Sequence, residues 1–134
     1  GTTEGLGLLD VETVLSPVKQ LRVERAIHLG SGTAIAGYHM HMGVTQGPDI
    51  ARPFAQVAGM NEGAVSADGR VQGTYLHGLF AADDFRRAVL GNVASPDFAY
   101  EASIDTTLDA LAAHLEHHID IDALLGLAEP VRLD

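Results

Sequence analysis

Apolar residues recur along the chain in two rhythms. Up to His77 they come in short runs and alternations, and from Ile104 onward they fall at helical spacing. Leu6 to Val14 is apolar with β-branched members and predicts a strand with its entry turn, ended by Ser16-Pro17. Gln20 to Leu29 sets Leu21, Val23, Ala26 and Ile27 among charges, the pattern of an exposed or edge strand. Gly30-Ser31-Gly32 predicts a turn. Thr33 to Met42 is the next strand, stopped by Gly43, so the two strands form an antiparallel hairpin. Thr45 to Gly63 carries Pro48, Pro53 and three glycines. It predicts a long loop with a short strand at Phe54 to Val57. Asp68-Gly69 is a strong turn signal between Ala64-Val65 and Val71, and predicts a second hairpin. Val71 to Leu76 then forms a strand that His77-Gly78 closes.

Helical signals follow. Asp83 to Leu90 predicts a short helix, capped by Asp83 and ended by Gly91. Ser95-Pro96 reads as a linker. Ile104, Leu108, Leu111, Ala112, Leu115 and Ile119 lie on one helical stripe, with Ser103 or Asp105 as the cap. Asp120 or Asp122 restarts a shorter helix through Leu127 that ends near Pro130. Strands first and helices last predict an α/β piece with a mixed sheet, antiparallel hairpins and C-terminal helices. A purely parallel doubly wound sheet would alternate the two.

Composition narrows the function. The 134 residues allow one domain or a large fragment of one. At 46% hydrophobic and 19% charged the chain has the makeup of a folded protein. No apolar run approaches the roughly 18 residues that cross a bilayer. Gly1 to Asp10 lacks a signal peptide's basic start and apolar core, so a cytoplasmic setting is expected, with no membrane partner. The net charge of −10 repels phosphate backbones and argues against nucleic acid. With no cysteine, the chain holds no disulfide, no cysteine zinc site and no thiol nucleophile.

Histidine is the chemistry-bearing residue, with seven copies. His114, His117 and His118 fall near the end of the predicted long helix, where the dipole favours imidazolium. His114 and His118, one turn apart, could share a metal, but no Glu follows His114 to make a metalloprotease pattern. His39 and His41 share one face of a strand and could ligate a metal with a third histidine. Alternatively, one faces a polar cavity and the other is hydrogen-bonded in the interior. His77 is the sharpest candidate. It ends a strand, Gly78 leaves it open to a cleft, and its pKa suits proton transfer near neutrality.

Three runs in order carry a family resemblance. They are Gly5-Leu6-Gly7-Leu8-Leu9-Asp10-Val11-Glu12-Thr13-Val14, Gly37-Tyr38-His39-Met40-His41-Met42-Gly43 and Gly73-Thr74-Tyr75-Leu76-His77-Gly78-Leu79-Phe80. With Asp84-Phe85-Arg86 and the terminal helices, the chain resembles the cobyric acid synthase family. The match lies in the later part of its class I, flavodoxin-like glutamine amidotransferase domain. The related a,c-diamide synthases are a poorer match to Tyr75-Leu76-His77-Gly78-Leu79-Phe80.

The resemblance implies a mechanism. In class I domains a cysteine on a strand-to-helix elbow attacks the side-chain amide of glutamine. A histidine, matched by His77, passes protons between the thiol and the departing ammonia. The usual third member is a Glu two residues later, where this chain has Leu79; the cobyric acid synthase group is similar in lacking that Glu. His77 must then be oriented by something else, such as a backbone carbonyl. The family's cysteine precedes the segment matched here, so the chain is expected to be a fragment that begins after the elbow and is inactive alone. His39 stands where the family usually has Glu, which leaves His41 as the better match. By analogy His41, Gly43, Thr45 and Tyr75 border the glutamine pocket.

The parent activity implied is ATP-driven amidation of carboxylates b, d, e and g of the adenosylated cobyrinic a,c-diamide, using ammonia from glutamine. ATP and Mg²⁺ belong to the synthetase part, so this chain is expected to hold no cofactor and no metal. Glutamine and, through the parent, a corrinoid are the expected ligands. A fragment lacking half its domain is also expected to form a homo-oligomer through Leu6, Leu8, Leu9, Val11 and Val14. The alternatives are a non-catalytic amidotransferase-like interaction domain and a small His-rich metal-binding protein.

Overall fold

A computed structural model describes residues 1–93 and 97–128. It divides the chain into two compact units, Gly1–Phe98 and Ala99–Asp134. Ser95-Pro96 and Pro130 lie outside the described residues.

The first unit is built on a five-stranded sheet. Its central hairpin joins β2 (Gln20–His28) to β3 (Ala34–His41), with Gln20 opposite His41 and Ile27 opposite Ala34. Gly32, at φ 71°, supplies the left-handed residue this turn needs. β5 (Ala55–Val57) pairs with the last residues of β2, and β6 (Met60–Glu62) lies outside β5. On the other side β9 (Leu76–His77) pairs with β3, Tyr38 opposite His77 and His39 opposite Leu76. Two short ribbons complete the strands: β1 (Glu12–Val14) with β4 (Val44–Gln46), and β7 (Ala64–Val65) with β8 (Gln72–Gly73). Every pairing among the described residues is antiparallel.

Several expectations need correction. Only Glu12–Val14 of the first apolar run is a strand, because Gly7 turns the chain at φ 67° and Asp10 is tied down elsewhere. β2 is an edge only over Gln20–Arg25; its last three residues are covered by β5. The long loop over Thr45 to Gly63 contains β4, a 3₁₀ turn at Pro48–Ala51, and the tight β5–β6 hairpin. The Asp68-Gly69 hairpin forms as expected. The strand after it breaks into β8 and β9, where the Tyr75 N–H and the Thr74 hydroxyl both donate to the Glu62 carboxylate.

The core lies on one face of the sheet. Ala26, Ile35, Ala55, Val57 and Leu76 contribute from the strands, and Phe54, Leu79 and Phe85 close over them. Phe85 comes from α1 (Asp83–Leu90) and is 1% exposed. The cap of α1 is Ala82 rather than Asp83; Asp83 occupies the first turn and pairs with Arg86 at 2.6 Å. Gly91 ends the helix at φ 54° as expected. His28, the one histidine without a sequence assignment, is buried. Its ring packs on Phe54 and Phe85 and its Nδ1 meets Ser31 Oγ at 2.8 Å.

The second unit holds α2 (Tyr100–His118) and α3 (Ile121–Gly126). α2 starts before Ser103 and Asp105, with Ala99 at its cap and no side-chain capping bond. Asp120 caps α3 as expected, accepting from the Ala123 N–H at 2.9 Å. No helix among the described residues is long and apolar enough to cross a membrane.

Candidate active site

β3 sorts the candidate residues onto two faces of the sheet. Alternation puts Ile35, Gly37, His39 and His41 on the core face and Ala36, Tyr38 and Met40 on the outer face. His77, opposite Tyr38 in the ladder, is on the outer face and exposed. Its imidazole stacks on the Tyr38 ring with centroids 5.1 Å apart and planes 11° from parallel. Gly78 follows at φ 76°, in the left-handed region. The chain therefore turns at once into the 3₁₀ turn Leu79–Ala81, leaving the His77 ring open at the strand end. Leu79, two residues after His77, is buried in the core. No carbonyl hydrogen-bonds the His77 ring among the described residues; the aromatic face of Tyr38 stands there instead.

The other four expected site residues lie behind the sheet. His41, Gly43, Thr45 and Tyr75 line a cavity of about 690 Å³ on the core face, between the β1–β4 ribbon and the ends of β3 and β6. The structure brings these four together but separates them from His77 by the thickness of the sheet. Glu62 is the one carboxylate of the lining, and no lysine or arginine lines it among the described residues. The four residues expected to border the glutamine pocket thus share one cavity, on the face of the sheet opposite the His77 ring.

They belong to a network of contacts behind β9. Glu62 has a side chain 9% exposed; it accepts from Thr74 Oγ1 and from the Tyr75 N–H, both at 2.7 Å. That clamp turns the Tyr75 ring onto the core face, where its hydroxyl meets Thr45 Oγ1 at 2.5 Å and Thr13 Oγ1 at 3.2 Å. Its ring stacks on His41 at 4.9 Å. The Tyr75 carbonyl accepts from the Met40 N–H at 3.1 Å. The two residues that follow, Leu76 and His77, are thereby delivered to the edge of β3. Gly43 serves the same end: at φ 129° it lets the backbone of Val14 approach, and a Cβ there would overlap the Val14 carbonyl oxygen. The buried carboxylate of Asp49 accepts from the Asp10 N–H at 2.8 Å and pairs with Arg52, which pins the start of the β1 segment.

Histidine chemistry elsewhere is limited. His39 Nε2 stands 3.8 Å from Glu62 Oε1. Burial is the main influence on His39 and pulls its pKa below the usual 6.5; His41 adds to this, while Glu62 partly opposes it. The balance favours the neutral imidazole at His39. The ring centroids of His114 and His118 are 4.4 Å apart on α2. No group of three or more His, Cys, Asp or Glu side chains among the described residues could hold a metal ion.

Sequence reasoning missed Glu62, Tyr38, Thr13 and Thr74. Each is brought into the site by strand register or by a backbone bond, and none carries a local signal of its own. What the whole arrangement presents is one unencumbered imidazole on a rigid strand end, supported from behind.

The model of the CobB/CobQ-like glutamine amidotransferase domain matches residues 1–85. The chain belongs to that family. The match ends at Phe85, so it covers β1 to β9 and the start of α1. Among curated proteins the chain is 58% identical over 130 residues to the cobyric acid synthase of Cereibacter sphaeroides. It is 57% identical to that of Rhodobacter capsulatus and 53% identical to that of Bradyrhizobium diazoefficiens, again over 130 residues. Each alignment takes in 96% of this chain and 27% of the relative. The chain thus spans about a quarter of the length of the curated relatives it matches. No solved structure matches it.

Proposed function

We propose that this chain supplies the histidine side of the glutaminase site in a cobyric acid synthase. The parent is a glutamine-hydrolysing amide ligase that amidates the b, d, e and g carboxylates of a corrinoid a,c-diamide in the cytoplasm. The observation that carries the proposal is the placement of His77. It stands at a strand end, exposed, beside a left-handed glycine, in a domain of this family. A thiolate needs a base to take its proton, and the leaving amine needs an acid to return one. An imidazole without a competing hydrogen bond can do both. This chain has no cysteine, so the nucleophile comes from another part of the parent and meets His77 on the outer face of the sheet.

ATP and Mg²⁺ serve the ligase step. The 690 Å³ cavity carries Glu62 and no lysine or arginine among the described residues, which supports a triphosphate site elsewhere. We place that step in the synthetase part of the parent. The test is direct. The isolated chain releases no ammonia from glutamine at any pH, whereas the full-length protein does. Ammonia release by the isolated chain above that of its His77→Ala variant would refute the assignment.

The same outer face supports self-association of the isolated chain. Leu21 is 60% exposed and Val23 89%, with Tyr38 beside them. Among the described residues, the edge of β2 over Gln20–Arg25 has no strand partner beyond β3. Exposed apolar surface next to an open edge favours pairing with a second copy. Of the residues first expected to drive this, Leu6, Leu8 and Val14 are exposed, but Leu9 and Val11 are half-buried and line the cavity. Sedimentation equilibrium at micromolar concentration is expected to give a dimer, weakened by Val23→Lys. A monomer throughout that range would rule it out.

A further inference from the structure

We infer that Tyr38 is the positioning residue of His77, taking over by ring stacking the orienting task that a third, acidic residue performs in a triad. The inference rests on the reading of His77 as the proton-transfer group. Three observations carry it. Leu79 is buried in the core and offers nothing polar to the imidazole. The His77 ring has no hydrogen-bond partner among the described residues, so no acceptor fixes its plane. The Tyr38 ring lies face to face with it, 11° from parallel at 5.1 Å.

Stacking can do two of the three things a carboxylate does for a catalytic histidine. It fixes the plane of the ring, so both nitrogens point in set directions along the outer face. It also favours the imidazolium that forms when the thiol proton arrives, because the π face of a phenol ring attracts a cation. The tautomer is the one thing it leaves open, and an exposed imidazole can exchange that through water. Tyr38 is itself held by its strand: the ladder sets it opposite His77. Its hydroxyl makes no hydrogen bond among the described residues. The ring, and not the hydroxyl, is therefore the working part. At 41% exposed, Tyr38 is not a core residue, which makes its replacement a test of function rather than of folding.

The experiment uses the full-length protein, with Tyr38→Leu, Tyr38→Phe and His77→Asn compared in glutamine-driven amidation. Each rate is normalised to the rate with free ammonia. Tyr38→Leu is expected to lower kcat about 10-fold with little change in the KM for glutamine, the split that misorientation of a reacting group produces. Tyr38→Phe is expected to recover most of that loss. In histidine-labelled protein, the ring-proton signals that vanish in His77→Asn identify His77. In Tyr38→Leu they should move downfield, as a stacked ring's shielding is lost. Unchanged kcat in Tyr38→Leu alongside a dead His77→Asn overturns the inference alone. Failure of Tyr38→Phe to recover also overturns it, since a hydroxyl role would then be at work. Full glutamine-driven activity in His77→Asn overturns the reading of His77 and the inference with it.

Discussion

Replacing His77 by Asn in the full-length protein is expected to abolish glutamine-driven amidation and leave ammonia-driven amidation intact. Asn keeps the size and polarity of the side chain but cannot take up a proton near neutral pH. The thiol then remains protonated and the departing amine unprotonated, a loss of about 10²-fold or more for a general acid–base group. Folding should be unaffected. His77 is exposed, and its one described side-chain contact is the ring of Tyr38. On the proposed reading the ligase step takes ammonia from either source, so saturating ammonium salt should bypass the lesion. Rates with both nitrogen donors, measured on the same preparation, decide the matter. Equal loss with glutamine and with ammonia would mean that His77 supports the structure and takes no part in the glutaminase step.

How far the fold could be read from the sequence depended on whether its signals were local. The β2–β3 hairpin was legible because Gly30-Ser31-Gly32 is a turn signal between two alternating runs, and Asp68-Gly69 marked the next hairpin in the same way. The β5–β6 hairpin was not. Its turn is Ala58-Gly59, with Ala58 at φ 49°, a conformation that an alanine does not advertise. Its strands are three residues each, too short for a period to show. The start of α2 was misjudged for a different reason. Ser103 and Asp105 are good caps, but the helix absorbs its early polar residues: Thr106 and Thr107 bond back to the carbonyls of Ala102 and Ser103 at 2.8 Å.

The site shows the same division. His77 was legible from its neighbours, a strand before it and a glycine after it. The pairing of His39 with His41 on one face followed from strand alternation, and so did their separation from Tyr38. Tyr75 could not be placed that way. Alternation along Val71 to Leu76 continues only if the strand is regular, and Glu62 breaks it by capturing Thr74 and the Tyr75 N–H. A single acid in an apparent loop turns a neighbour's side chain through the sheet. That long-range effect put Tyr75, and the Thr45 and Thr13 hydroxyls with it, on the face of the sheet opposite the His77 ring.

Gly37 marks where this construction is most easily broken. β9 is two residues long and is held to β3 through Tyr38–His77 and His39–Leu76. A Cβ on residue 37 would overlap the carbonyl oxygen of His77 and stand 3.5 Å from its carbonyl carbon and 3.9 Å from the Leu79 N–H nitrogen. These are backbone atoms, so no side chain can rotate away to make room. Nor can β9 retreat freely, since Leu76 and Leu79 on either side of His77 are both anchored in the core. Gly37→Ala is therefore expected to cost about 1–3 kcal/mol of stability, the usual penalty of overpacking. It is also expected to swing His77 off the Tyr38 ring. A displacement of about 1 Å at a proton-transfer group lowers the rate by about 10²-fold, so glutamine-driven amidation should fall far more than the stability change explains. Denaturant unfolding and the two nitrogen-donor assays together check this. A variant with the wild-type unfolding midpoint and wild-type glutamine-driven rate would show that β9 has room to spare, and that the close approach at Gly37 does not set the position of His77.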